Sequence, residues 1–344
     1  MKYKTVKLGT LISPAKNVRC GDKDYPVLSM TMHNGLVFQD EKFKKVIASK
    51  DTSNYKVVFR NQLVISFPID EGVLAAQRII DAGIVSPAYG IWNIDQKQVI
   101  PEFLENALRC KRAIDYYKAK LRGSTARRRS LPVPTLLDFN VPLPTIEEQN
   151  SILEIIHKTK QVIDNRQNVI SKLDDLIKAR FVEMFGDPIR NTQNRKTTEF
   201  VNVVKMQRGF DLPVQDRQQN GAIPVYGSNG ALDHHNIAKV QGGGVITGRS
   251  GTIGKVFYTE GDYWPLNTSL FSVDTHGNNV VYLAYLLEMF DLTRFVEGTG
   301  VPTLNRNMFH NKPIIDVGLN EQIRFAEFVK QVDKSKLLHF DNVA

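Results

Sequence analysis

Ile146-Glu147-Glu148-Gln149-Asn150-Ser151-Ile152-Leu153-Glu154-Ile155-Ile156 is matched later in the chain by Leu319-Asn320-Glu321-Gln322-Ile323-Arg324-Phe325-Ala326-Glu327-Phe328-Val329. The two stretches register at a constant offset, Glu148 with Glu321, Gln149 with Gln322, Glu154 with Glu327 and Ile156 with Val329. Each opens a helical run. Each follows a small-residue segment, Gly123-Ser124-Thr125 in the first case and Gly298-Thr299-Gly300 in the second. A shared helix-start device could produce two such matches by chance. The common order of the neighbouring segments favours duplication, with one unit of mixed structure plus a helix built twice. Duplicated domains related by a pseudo-two-fold axis suit a target with two half-sites.

The first run predicts one helix from Thr145 to Phe185. Thr145 can cap it, and Glu147 and Glu148 favour the positive end of the helix dipole. Ile156, Ile163, Ile170, Ile177 and Met184 recur every seven residues, and Ile155, Val162, Val169 and Leu176 form a second row at the same interval. A sustained period of seven is the signature of a coiled coil, against the plainer alternative of an amphipathic helix in one core. Such a helix is about 60 Å long. Gly186-Asp187-Pro188 ends it. The second run, from about Asn320, is half as long. It leaves Ile170, Ile177 and Met184 to be covered by another polypeptide.

Residues 1–145 read as a first globular region and 187–318 as a second, with the helices 146–186 and 319–344 after them. Strand-like runs include Tyr25–Met30, Tyr55–Phe59 and Leu63–Phe67, then Ile223–Gly230, Gly244–Gly248 and Lys255–Tyr258. Helices are expected over Pro101–Leu121 and Val280–Phe295. Pro132, Pro134, Pro142 and Pro144 make an extended connection that cannot be helical throughout.

A chain of 344 residues suffices for two cores. No long apolar stretch suggests a membrane span, and no signal peptide is evident. Cys20 and Cys110 read as two reduced thiols of a cytoplasmic protein. The net charge of +9 points to a polyanionic partner, nucleic acid first. Between residues 109 and 129, Arg109, Lys111, Arg112, Lys118, Lys120, Arg122, Arg127, Arg128 and Arg129 face the single acid Asp115. Such a run is either a solvated face or a phosphate-binding cluster.

No set of residues here makes a convincing catalytic centre. Gly248-Arg249-Ser250-Gly251-Thr252-Ile253-Gly254-Lys255 resembles a phosphate-binding loop only superficially. The spacing between Gly248 and Gly254 is one residue too long, and Val256 stands where Ser or Thr would ligate magnesium. It reads instead as a tight turn exposing Arg249, Ser250 and Lys255, which could approach DNA or be a plain hairpin. His234-His235 lack metal-ligand neighbours. Neither a Pro-Pro methyltransferase motif nor a nuclease carboxylate pattern occurs.

Val141-Pro142-Leu143-Pro144-Thr145-Ile146-Glu147-Glu148-Gln149, followed by the heptad helix closing Phe181-Val182-Glu183-Met184-Phe185-Gly186-Asp187, resembles the central region of specificity subunits of type I restriction–modification systems. Ile84–Tyr89, Val245–Gly254 and Leu266–Leu270 resemble segments of that family's target recognition domains. The resemblance implies an α/β (α+β) architecture of two recognition domains separated by coiled-coil spacer helices. It implies a non-catalytic subunit that reads a bipartite double-stranded DNA target. Two adenine methyltransferase subunits, which carry S-adenosylmethionine, and translocating restriction subunits would dock on it. No cofactor or metal is expected in this chain. The short second helix departs from the family pattern and leaves self-association through the spacer open. The alternatives are a stand-alone methyltransferase or nuclease, or a coiled-coil adaptor. Candidate DNA contacts are Ser66, Arg78, Ser86, Tyr89, Arg127, Arg128 and Arg129 in the first region. In the second they are Arg208, Ser228, Asn229, Arg249, Ser250, Lys255, Asn267 and Arg306. If the helix is a ruler, a heptad inserted after Ile163 adds about 10 Å and lengthens the recognised gap by about three base pairs.

Overall fold

A computed structural model describes residues 3–42, 51–121, 131–298 and 302–340. The chain divides into two compact units, Met1–Val162 and Ile163–Ala344. In the first, the strands are β1 (Thr5–Lys7), β2 (Ile12–Pro14), β3 (Leu28–Thr31), β4 (Gly35–Phe38), β5 (Lys56–Phe59), β6 (Leu63–Ile65), β7 (Leu74–Ala76), β8 (Ala82–Val85), β9 (Gly90–Ile94) and β10 (Asn140–Pro142). Its helices are α1 (Gln39–Lys42), α2 (Pro101–Arg109), α3 (Lys111–Lys120) and α4 (Val133–Leu137), followed by the start of α5 (Ile146–Phe185). The second unit holds the end of α5, α6 (Phe200–Val203), α7 (Val280–Phe290) and α8 (Leu319–Phe340). Its strands are β11 (Thr197–Glu199), β12 (Lys205–Arg208), β13 (Ile223–Gly227), β14 (Gly230–His235), β15 (Gly244–Gly248), β16 (Val256–Thr259), β17 (Trp264–Pro265), β18 (Ser269–Asp274), β19 (Val296–Glu297), β20 (Thr303–Leu304) and β21 (Pro313–Ile315).

The duplication inferred from two short motifs extends through the topology. The central sheet of the first unit runs β2-β9-β6-β7 and that of the second β12-β18-β15-β16, every pair antiparallel. In both units the opening strand pairs antiparallel with the strand just before the terminal helix, Thr5 opposite Pro142 and Thr197 opposite Ile315. In both a helix, α2 or α7, follows the strand next to the opening one in the sheet order.

The repeated glutamine has a structural reason. Gln149 is fully buried, and its Oε1 accepts from the Ile100 N–H at 2.8 Å while its Nε2 donates to the Gln98 and Pro144 carbonyls at 3.0 Å each. Gln322 is equally buried. Its Oε1 accepts from the Asn279 N–H at 2.9 Å, and its Nε2 donates to the Val317 carbonyl at 2.8 Å and to Asn278 Oδ1 at 2.6 Å. Each side chain thus ties a terminal helix to the residue capping an earlier helix of its unit, Ile100 before α2 and Asn279 before α7. An amide provides both donors and an acceptor for buried backbone groups, which no carboxylate or apolar residue can do. Glu148 serves a different purpose. It forms a capping box with Thr145, accepting from the Thr145 N–H at 2.9 Å while its own N–H donates to Thr145 Oγ1 at 3.3 Å. Its counterpart Glu321 pairs with Arg195 at 3.0 Å.

Three expectations need correction. The helix expected over 101–121 is two helices, because Cys110 takes an extended conformation (ψ 158°) and caps α3. The break turns Tyr117 back into the core, where its hydroxyl donates to the Leu108 carbonyl at 3.1 Å. The proline-rich connection contains α4, with Pro134 in its first turn, where a missing N–H costs nothing. The third concerns cover for α5. Ile177 is fully buried and Met184 packs against the same core, which α7 and α8 of their own unit supply. Phe181 meets Phe325 at 5.4 Å, Phe185 meets Tyr282 at 5.1 Å, and Lys336 pairs with Asp174 at 2.7 Å. The short α8 therefore reaches as far back along α5 as Asp174. The large apolar residues that α5 does expose are Ile155, Val162, Ile163, Val169, Leu176 and Val182.

Candidate nucleic-acid interface

The second unit gathers most of its expected contact residues around one end of its central sheet. The β15–β16 turn begins at Gly248, where a Cβ would lie 1.7 Å from the Thr252 carbonyl oxygen, so no other residue fits. Gly251, at φ +81°, supplies the left-handed residue of the turn. The backbone of Arg249 is held on both sides, its N–H donating to the Thr268 carbonyl at 2.9 Å and its carbonyl accepting from the Leu304 N–H at 2.8 Å. The Arg249 side chain lines a cavity of about 310 Å³ together with Arg208, Arg306, Glu297, Asn305 and Asn307. Among the described residues no carboxylate lies within 4.0 Å of these three guanidinium groups. Arg208 makes one long hydrogen bond, Nε to the Asn267 carbonyl at 3.4 Å. Beside the turn, Lys255 Nζ donates to Asn229 Oδ1 at 3.1 Å. The Ser228 carbonyl is close enough to meet a Cβ on Gly248 at 3.0 Å, and Ser250 bridges to Thr303. Asn267 bonds through its amide to the Asp211 carboxylate.

The basic character of the pit reaches the groups behind it. His310 follows the turn that carries Arg306, and its Nε2 accepts from the Met206 N–H at 3.2 Å. Burial lowers its pKa, and Arg306 and Lys205 lower it further.

In the first unit the expected residues are dispersed. Ser66 is buried and lines a separate cavity of about 190 Å³ with Phe67, Ile69, Ala88, Trp92 and Val133 among its walls. Ser86 Oγ accepts from the Ala88 N–H at 3.3 Å, and the Tyr89 carbonyl accepts from Lys56 Nζ at 2.6 Å. Arg78 is engaged elsewhere, paired with Glu102 at 2.8 Å and Glu105 at 3.7 Å. Arg127, Arg128 and Arg129 lie outside the described residues. Of the same basic run, Arg109 pairs with Glu105, Lys111 with Asp115, and Arg112 donates to the Asn140 carbonyl. Both cysteine thiols are free. Among the described residues no helix is long and apolar enough to cross a membrane.

Sequence reasoning missed Glu297, Asn305 and Asn307 in the arginine pit, and Phe67, Trp92 and Val133 in the apolar one. The signal for the last was present. Val133 precedes Val141 by the interval that separates Arg306 from Ile314.

Residues 190–339 match the family model described as the type I restriction modification DNA specificity domain. The structure of the S subunit of the type I restriction-modification system from M. genitalium superposes with a TM-score of 0.56 at 14% identity, covering 99% of this chain and 92% of that one. A chain from a structure of type I R-M complex assembly and conformational transition superposes with a TM-score of 0.58 at 13% identity, covering 99% and 93%. The second unit is therefore similar over residues 190–339 to the type I restriction modification DNA specificity domain, and the whole chain has the fold of the S-subunit structures on which it superposes. The long helix α5 fits the spacer of that fold.

Proposed function

We propose that this chain is the DNA-sequence-reading subunit of a type I restriction–modification complex, with each unit reading one half of a bipartite target. The observation that carries this reading is that one sheet topology is built twice and one of the two copies is the matched specificity domain. Arg208, Arg249 and Arg306, brought together without carboxylate partners, supply the fork-shaped donors that read bases or hold phosphates. The chain does no chemistry itself. Adenine methyltransferase subunits carrying S-adenosylmethionine dock on it, as do restriction subunits, and the exposed row Ile155, Val162, Val169 and Leu176 on α5 is a surface available to them.

Base-resolved mapping of adenine methylation, in cells carrying the methyltransferase subunits with and without this chain, tests the reading. One bipartite motif should be methylated only when the chain is present. A pattern indifferent to the chain would overturn it. Purified chain incubated alone with labelled S-adenosylmethionine and DNA should transfer no label.

A further inference from the structure

The arginine pit and the apolar pit occupy the same place in the two repeats. The turn after β6 corresponds to the turn after β15, and β9 to β18, by their shared sheet order. Ser66 and Phe67 thus stand where Arg249 and its neighbours stand. The third wall corresponds residue by residue, at the offset that relates Glu148 to Glu321. Leu131 matches Leu304 and Val133 matches Arg306, each lining its own pit, while Leu136 of the first pit matches the buried Phe309. Val133 is 50% exposed and Phe67 60% exposed, so the apolar pit presents its greasy rim outward as the other presents its guanidinium groups.

The two pits offer opposite chemistry to a base pair. Arginine forks match the O6 and N7 acceptors of guanine, and a carboxylate such as Glu297 accepts from the N4 amino group of its cytosine partner. Among the described residues the cations lining the second pit are all arginines, although lysines lie near them in sequence at Lys205, Lys255 and Lys312. That choice suits planar, bidentate recognition better than a diffuse hold on phosphate. Among the described residues the first pit has no cation in its wall, and its side chains suit the 5-methyl group of thymine, the one apolar feature of the major groove.

Resting on the proposed DNA-reading function, we infer that the two half-sites differ in kind. The second unit reads a G·C pair through Arg208, Arg249, Arg306 and Glu297. The first unit reads an A·T pair through the thymine methyl seated between Phe67 and Val133.

The test is selection from randomised duplexes by the full chain assembled with methyltransferase subunits, followed by base analogues in the selected sequence. Arg306→Val, which installs the first unit's residue, should relax a guanine preference in one half-site and leave the other intact. In that half, 7-deazaguanine, which removes only N7, should weaken binding by about tenfold. In the other half, deoxyuridine in place of thymidine, which removes only the methyl group, should weaken binding several-fold, and Phe67→Ser should abolish that sensitivity. The analogues alter only DNA, so they report even if a variant misfolds. The inference is overturned if the half-site altered by Arg306→Val contains no guanine, or if neither analogue has an effect. Selection of no sequence at all would overturn the DNA-reading function itself, a different result from selection of the wrong bases.

Discussion

The two units keep the same frame and differ where the frame ends. Gln149 and Gln322 make equivalent bonds, the opening strands pair alike, and the sheets share one order. At the end of the sheet, one pit is arginine-lined and the other apolar. The residues that position a recognition surface are thus separable from those that give it chemistry. A frame fixed by buried amide and backbone bonds tolerates change at the turn tips, because those side chains carry little of the folding energy.

The largest effect that could break this comparison is exchange of residues 190–318 for those of a relative. If each unit reads independently, methylation mapping should show one half of the target replaced and the other unchanged. Replacement of both halves would mean that the units do not act separately.

Charge separates the two ends next. Phosphate contacts lower affinity in salt without reading sequence, whereas base contacts set specificity. Replacing Arg127, Arg128 and Arg129 by glutamine should flatten the salt dependence of binding by up to about three units of slope. The selected sequence should not change. An unchanged slope would assign this cluster to solvent or to a protein partner. Loss of the selected sequence would make the first unit's reader basic after all.

Frame residues should behave alike in both units. Gln149→Ala and Gln322→Ala each strand buried backbone groups, at a cost of about 1–3 kcal/mol apiece. Urea unfolding should show losses of similar size, with the base preference retained. A much smaller loss at one site would mean that only the other is a structural clasp.

Much of this frame was legible in the sequence. The α5 helix was readable because its seven-residue period, capping box and Gly-Asp-Pro stop are local signals. The β15–β16 turn was readable because its glycines are required by close approach and by positive φ. The break at Cys110 was not, since it depends on Tyr117 finding the Leu108 carbonyl in the folded core. Burial of Ile177 and Met184 depends on α7 and α8, which are distant in sequence, so a periodicity argument left them bare. The arginine pit was half visible, because its three arginines stood out but Glu297, Asn305 and Asn307 looked like ordinary loop polarity. The apolar pit was invisible, as its walls come from residues 65–69, 88–92 and 131–136, and a search for polar DNA readers passes over Phe67 and Val133.

The smallest effect belongs to His310, and it sharpens the comparison because Leu137 holds the corresponding place in the first unit. His310 lies against Phe200 and Phe309, with Arg306 and Lys205 as its nearby cations. Burial and then those charges hold its pKa below the usual histidine value, and its Nε2 is an acceptor that protonation would remove. The unfolded chain therefore binds this proton more readily than the folded one. The stability His310 contributes is complete above the unfolded value near 6.5 and declines as pH falls through it toward the lower folded value. The second unit should lose stability on mild acidification, and His310→Gln should blunt that loss. Arg306→Gln removes a repelling charge, so NMR titration should find the His310 transition moved upward in that variant. A transition unmoved by Arg306→Gln would show that Arg306 directs its charge away from His310, and the link between the pit and its underlying core would fail.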